Sequence, residues 1–335
     1  MGLPSILMML SSLLKKHAFS FGLFVVVGLA FAFPSLGSFG SGFPAKMLTQ
    51  IGVGIIFFLL GISIPYQQLK NGYRPMRLHL YVLSWNYLGV PLLTGLLLLI
   101  LGDVLPREIV MGFWLLAIMP TTIASAVTFT DLSGGSVSNA IFATLLSNVL
   151  AVLLVPVFAV LLFSLAEGLV VEFVPLLLKV GLLVLMPLLL GQFLRRIHFE
   201  WLSVVKRIRK PISSAIILFI VYAAFAQSVS NHALSDLSIV ALLVMLGVAI
   251  LLMVLVNLLV WWTSKYLALT SADRVAAFYC GSQKSLATGL PLAVMILAAV
   301  PDSQNAALMV IPMIVFHPLQ LVLAGVLSSW LASKV

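Results

Sequence analysis

At 335 residues, with 62% hydrophobic and 8% charged residues and a mean hydropathy of +1.23, the chain cannot cover itself with a water-compatible surface; soluble domains carry about 25% charged residues. The net charge of +9 comes from 18 Lys and Arg against 9 Asp and Glu, and these sit between apolar runs rather than on one basic face, which excludes nucleic acid as a partner. A single cysteine, Cys280, excludes an intrachain disulfide framework and a multi-cysteine metal site.

From the N-terminus, Leu3 to Leu14 is apolar, but Lys15 and Lys16 follow it where a signal peptide would carry basic residues first. A short interfacial helix is expected there. Met1-Gly2 opens like a myristoylation signal, yet Ile6 stands where that signal needs Ser or Thr, so no lipidation is expected. Ten apolar runs follow, at about 18–34, 45–65, 77–101, 108–131, 136–165, 169–194, 211–231, 236–264, 272–299 and 303–332. Runs near 20 residues predict transmembrane helices, because lipid cannot bond an open backbone and barrel strands are shorter and alternate in polarity. The expected class is therefore an all-α polytopic membrane protein of ten transmembrane helices, in contact with membrane lipid.

With the N-terminus in the cytoplasm, the inner loops and ends hold Lys15, Lys16, Lys70, Arg74, Arg77, Arg195, Arg196, Lys206, Arg207, Arg209, Lys210, Lys265, Arg274 and Lys334. The outer loops hold only Lys46 and Arg107, an asymmetry of 14 to 2. The positive-inside rule then predicts both termini cytoplasmic in the plasma membrane, which is the inner membrane of a bacterium. Lys179 and Lys284 fall inside spans.

Five spans precede the loop from Glu167 to Glu172 and five follow it, so the halves 18–165 and 169–332 insert in opposite orientations within one domain, 1–335. Inverted repeats of this kind gather their binding site where interrupted helices meet near the midplane. Two spans are polar enough to mark that place. The fourth carries Met119-Pro120-Thr121-Thr122-Ile123-Ala124-Ser125-Ala126-Val127-Thr128, in which Pro120 removes a backbone donor and hydroxyls can bond the carbonyls it frees. The ninth carries Ser282, Gln283, Lys284, Ser285 and Thr288 between Cys280 and Pro291.

Each of these has a plainer reading. Ser125, Thr128 and Thr288 fit helix packing as well as ligand binding, at about 0.6–2 kcal/mol per interhelical bond. Lys284 is different, since a lysine in mid-span costs about 2.5–3.5 kcal/mol and seeks a cavity or partner. Asp131 reads as a turn cap, with pairing to Lys284 as the alternative. His317, beside Pro318 and Gln320, reads as a hydrogen bond to a neighbouring helix, with a proton relay as the alternative. Asn257 and Gln227 read as interhelical contacts. No His, Cys, Asp or Glu grouping has metal-ligand spacing.

Four stretches together resemble the bile acid:sodium symporter family, in particular its bacterial SBF-like branch: Phe57-Phe58-Leu59-Leu60-Gly61-Ile62-Ser63-Ile64, Pro120 to Asn139, Gly281 to Pro291, and Phe316-His317-Pro318-Leu319-Gln320. The resemblance covers nearly the whole chain. It implies a panel domain of spans 1, 2, 6 and 7, a core domain of spans 3–5 and 8–10, crossing discontinuous helices 4 and 9, and alternating access. It also implies a sodium site of hard oxygen ligands in which Ser125, Asn86, Gln283 and Thr144 match ligand positions. Ala126 replaces an asparagine ligand, Tyr279 stands where an acidic residue belongs, and Lys284 follows Gln283 where an asparagine is usual. Two sodium charges without the buried carboxylate lose their main compensation, and an ammonium beside them repels them. Lys284 is then expected to supply the positive charge itself, permanently or by taking up a proton.

The expected function is secondary active transport of a small organic anion, such as a bile-acid-like molecule, a keto acid or a related carboxylate, without a cofactor. The candidate site comprises Thr121, Thr122, Ser125, Thr128, Ser282, Gln283, Lys284, Ser285, Asn86 and Thr144, with Asp131, Tyr279, His317 and Gln320 secondary. A transporter-fold membrane regulator that moves nothing is the alternative. An intramembrane enzyme is not expected, because no nucleophile with its base and no paired carboxylates are present. Arsenite permeases of similar fold depend on a cysteine in span 4, which this chain lacks.

Overall fold

Apolar segments in lipid must satisfy their backbone internally, and every regular element among the described residues is helical. The computed structural model describes residue 19 and residues 21–38, 44–63, 73–167, 173–197, 202–232, 237–297 and 305–332. The interfacial helix expected at Leu3 to Leu14, the lysines Lys15, Lys16, Lys70 and Lys334, and the 168–172 loop between the halves lie outside those residues.

The helices are α1 (Phe21–Ala32), α2 (Ala45–Ser63), α3 (Met76–Val104), α4 (Arg107–Ile118), α5 (Ile123–Leu132), α6 (Val137–Glu167), α7 (Val174–Arg195), α8 (Leu202–Ser230), α9 (Ile239–Ser264), α10 (Ser271–Ser282), α11 (Leu286–Leu297) and α12 (Ala306–Ala332). Among the described residues, seven helices are long and apolar enough to cross a membrane: α2, α3, α6, α7, α8, α9 and α12. The pair α4 and α5, bent by 57° at its break, brings the number to eight. Helices α1, α10 and α11, of 12 residues each, are shorter than the roughly 20 a crossing needs.

The breaks fall where side chains can replace lost backbone bonds, not wherever proline occurs. Pro156, Pro211, Pro291, Pro312 and Pro318 all lie inside helices. At the α4–α5 break, Met119 precedes Pro120 and is driven from the helical region to φ −69 and ψ 150. At the α10–α11 break, Gln283 is likewise extended, at φ −94 and ψ 147.

Close backbone approach fixes the packing around these breaks. A Cβ on Gly61 of α2 would strike the carbonyl of Leu188 on α7, and one on Gly191 would strike the carbonyl of Phe58. Helix α2 also packs on α8, and α4 on α12. The left-handed backbone at Gly134, φ 69, turns the chain from α5 into α6. There the Asn139 amide donates to Asp273 at 2.6 Å and ties the start of α10 beside that turn. Large apolar side chains such as Leu92 (73% exposed), Leu99 (84%) and Ile239 (76%) stand on the outside, as a lipid-facing surface requires.

One expected interhelical contact takes another form: Asn257 donates to the carbonyl of Met253, four residues back on the same helix, because a short amide side chain reaches the adjacent turn before a neighbouring helix.

Candidate functional site

Ten buried polar residues converge at the two breaks: Asn86, Thr121, Ser147, Asn148, Ser282, Gln283, Lys284, Ser285, Thr288 and Gln320. The broken helices are joined backbone to backbone, the Ser285 amide donating to the Pro120 carbonyl at 2.8 Å. A side-chain bond joins them as well, from Ser125 Oγ to Gln283 Oε1 at 2.7 Å.

Lys284 is the centre of the arrangement. Its Nζ donates to the carbonyls of Ala117 at 2.7 Å, Asn86 at 2.8 Å and Met119 at 2.9 Å. Ala117 and Met119 end α4, where a helix has carbonyls without intrahelical partners and the negative end of its dipole. Asn86 lies in a π-helical turn, Trp85–Gly89, that interrupts the α ladder of α3. Three carbonyl acceptors call for all three N–H groups of an ammonium. Hydrogen bonds to a charged group contribute about 1.5–3 kcal/mol each, so three of them offset the roughly 2.5–3.5 kcal/mol cost of a mid-span lysine.

Gln320 of α12 holds the break at Lys284 in register. Its Oε1 accepts from the Lys284 amide at 2.8 Å and its Nε2 donates to the Lys284 carbonyl at 2.6 Å, so one side-chain amide replaces the backbone pairing lost there. His317 Nδ1 lies 3.0 Å from the same Nε2. His317 also hydrogen-bonds the Lys284 backbone across the break and stands edge-on to Phe19, so it contacts neighbouring elements as well as its own helix.

A third layer comes from α6. The Thr121 amide donates to Ser147 Oγ at 3.3 Å, and Asn148 Nδ2 donates to the Thr121 carbonyl at 2.8 Å. Thr288 Oγ1 donates to Asn148 Oδ1 at 2.7 Å and lies 2.8 Å from Ser285 Oγ. Asn148 therefore touches both breaks. Neither Ser147 nor Asn148 was among the expected site residues, although Thr144, Ser147 and Asn148 recur at the i, i+3, i+4 spacing of one helix face within an apolar span.

Other expected residues stand apart from this network. Thr144 Oγ1 bonds back to Ile141 at 3.0 Å within α6. Thr122 is buried at the start of α5 with no side-chain cap bond. Thr128 and Asp131 are exposed on α5, and Asp131 does not meet Lys284, whose ammonium donors go to carbonyls. Tyr279 is buried, its hydroxyl 3.0 Å from Ser133 Oγ and its ring stacked on Phe129, away from the Lys284 ammonium.

Sodium fits this donor set poorly. The carbonyls that a cation would use are held by the Lys284 ammonium, Gln283 Oε1 is taken by Ser125, and no carboxylate borders the breaks among the described residues. What remains is a buried Asn86 Oδ1, with Gln283 Nε2, Ser282 Oγ and Thr121 Oγ1, all without a hydrogen-bond partner among the described residues.

Residues 17–333 match the model of the SBF-like CPA transporter family. An uncharacterized Pseudomonas aeruginosa protein, PA2026, is 31% identical over 94% of this chain and 93% of its own. Sodium/bile acid cotransporter 7 of Xenopus tropicalis is 30% identical over 96% of this chain and 94% of its own length. The mouse protein of the same name is 29% identical over 96% and 95%. With apolar helices long enough to span, a buried polar site at two helix breaks and a family match across almost the full chain, this integral membrane protein belongs to the SBF-like CPA transporter family.

Proposed function

We propose that the protein is a secondary transporter of a small organic anion in which the ammonium of Lys284 takes the place of a coupling cation. The observation that carries this reading is the set of three backbone carbonyls around Nζ, at 2.7–2.9 Å, drawn from the end of one broken helix and a π turn. Carbonyl oxygens suit a hard cation, and here the chain itself supplies the positive charge. All three donors are used, so Lys284 sets the local charge without contacting substrate directly.

The ten apolar segments then form two inverted five-helix repeats with α4–α5 and α10–α11 as the crossing pairs. Helices α1, α2, α7 and α8 make the panel, and the remainder makes the core. Substrate moves as core shifts against panel, with both termini in the cytoplasm. The name of the Xenopus tropicalis relative, a sodium/bile acid cotransporter, supports testing bile acids beside keto acids and related carboxylates.

Proteoliposomes loaded with a labelled keto acid, pantoate, an alkylsulfonate or taurocholate test this reading by counterflow, with sodium replaced by choline. Exchange of at least one anion is expected to persist without sodium. Strict sodium dependence would overturn the role given to Lys284, and the absence of any anion flux would overturn the transport reading.

A further inference from the structure

A cavity of about 210 Å³ lies where α2, α5, α6 and α8 face one another. Leu60, Ile123, Val127 and Leu145 give it apolar walls, Ser63 adds a hydroxyl, and Arg209 is the single charged residue of its lining. It reaches the broken helix directly, since its wall includes Ala124, the neighbour of the Ser125 that bonds Gln283.

Arg209 differs from its neighbours on the same stretch of α8. Arg207 and Lys210 are exposed, as cytoplasmic-side basic residues are. Arg209 is half-buried, and no hydrogen bond or ion pair partners its guanidinium among the described residues. An arginine drawn in among apolar side chains is costly unless an anion meets it. Its planar fork of donors matches a carboxylate or sulfonate in bidentate geometry, which a lysine cannot reproduce. The cavity is also smaller than the roughly 300–1,000 Å³ that holds drug-sized ligands, so it suits a compact molecule.

From this geometry we infer that Arg209 is the charge anchor for substrate: the cavity takes a compact monoanion, carboxylate or sulfonate on Arg209 and apolar body against α5 and α6. The inference rests on the organic-anion reading above. It divides the two cations of the site, Arg209 meeting the substrate and Lys284 held by the backbone.

Calorimetric titration of the protein in nanodiscs tests it, with 3-methyl-2-oxobutanoate, hexanoate and butanesulfonate as probes, each against its neutral amide. The wild type is expected to bind at least one anion and to reject the amide. Arg209→Gln is expected to weaken that anion tenfold or more, Arg209→Lys by less, and Arg207→Gln not at all. Equal binding by Arg209→Gln and wild type would overturn the anchor while leaving the anion reading intact. No binding of any probe to the wild type would overturn both. Should Arg209→Gln fail to fold by size-exclusion chromatography, Val127→Trp, which fills the cavity, must abolish binding; retained affinity would overturn the site.

Discussion

Ser125 Oγ donates to Gln283 Oε1 at 2.7 Å, a side-chain bond between two residues 158 positions apart and on opposite halves of the chain. Removing either partner costs one interhelical bond, about 0.6–2 kcal/mol. A double-mutant cycle of Ser125→Ala and Gln283→Ala, read by denaturant unfolding in micelles, is expected to give a coupling near 1 kcal/mol. A coupling indistinguishable from zero would show the bond to be absent in the folded protein.

Lys284→Met removes all three donors and strands three buried carbonyls, each worth about 1–3 kcal/mol when unpaired. A marked fall in thermal midpoint and loss of transport are expected. Lys284→Ala has a further expected property: its freed carbonyls and the Asn86 Oδ1 make a hard-oxygen set, so sodium, compared with choline, should raise the thermal midpoint of the variant and leave the wild type unmoved.

Gln320→Leu takes away both of its bonds to the Lys284 backbone, whereas His317→Ala takes away a contact with Gln320 and one with the Lys284 backbone. The first is expected to cost about 2–3 kcal/mol and the second under about 1 kcal/mol, from typical hydrogen-bond values. Equal effects in parallel unfolding curves would instead give His317 a role beyond these two contacts.

Gly61→Ala would press a methyl into the Leu188 carbonyl, while a Cβ at Gly247 meets nothing within 4 Å. The first is therefore expected to lower the thermal midpoint by several degrees. Gly247→Ala should leave it unchanged or raise it slightly, since alanine is favoured over glycine in a helix by up to about 1 kcal/mol.

How much of this was readable in the sequence depends on where each interaction keeps its signal. The interrupted segments announced themselves through Pro120 and through five polar residues between Cys280 and Pro291, because such residues in lipid need a reason. Pro291 itself ends nothing and sits within α11. The partners of Lys284 left no trace, since a carbonyl is present at every position and only the bend and the π turn turn three of them inward. Asn148 was recoverable from its spacing to Thr144. Arg209 was hidden by its surroundings: within the 206–210 basic run it reads as an orientation signal, and only packing separates it from Arg207 and Lys210.

A cation tethered to the chain never dissociates, and this bears on energetics. A bound ion released on the far side adds its charge to each turnover, but the Lys284 ammonium returns with the protein. In a carrier working as proposed, a monovalent substrate therefore moves one uncompensated negative charge. Across an inside-negative membrane, every 100 mV then favours its departure from the cell by about 2.3 kcal/mol. The same fold, with its ion replaced by a side chain, would run more readily as an exit route than as a means of accumulation.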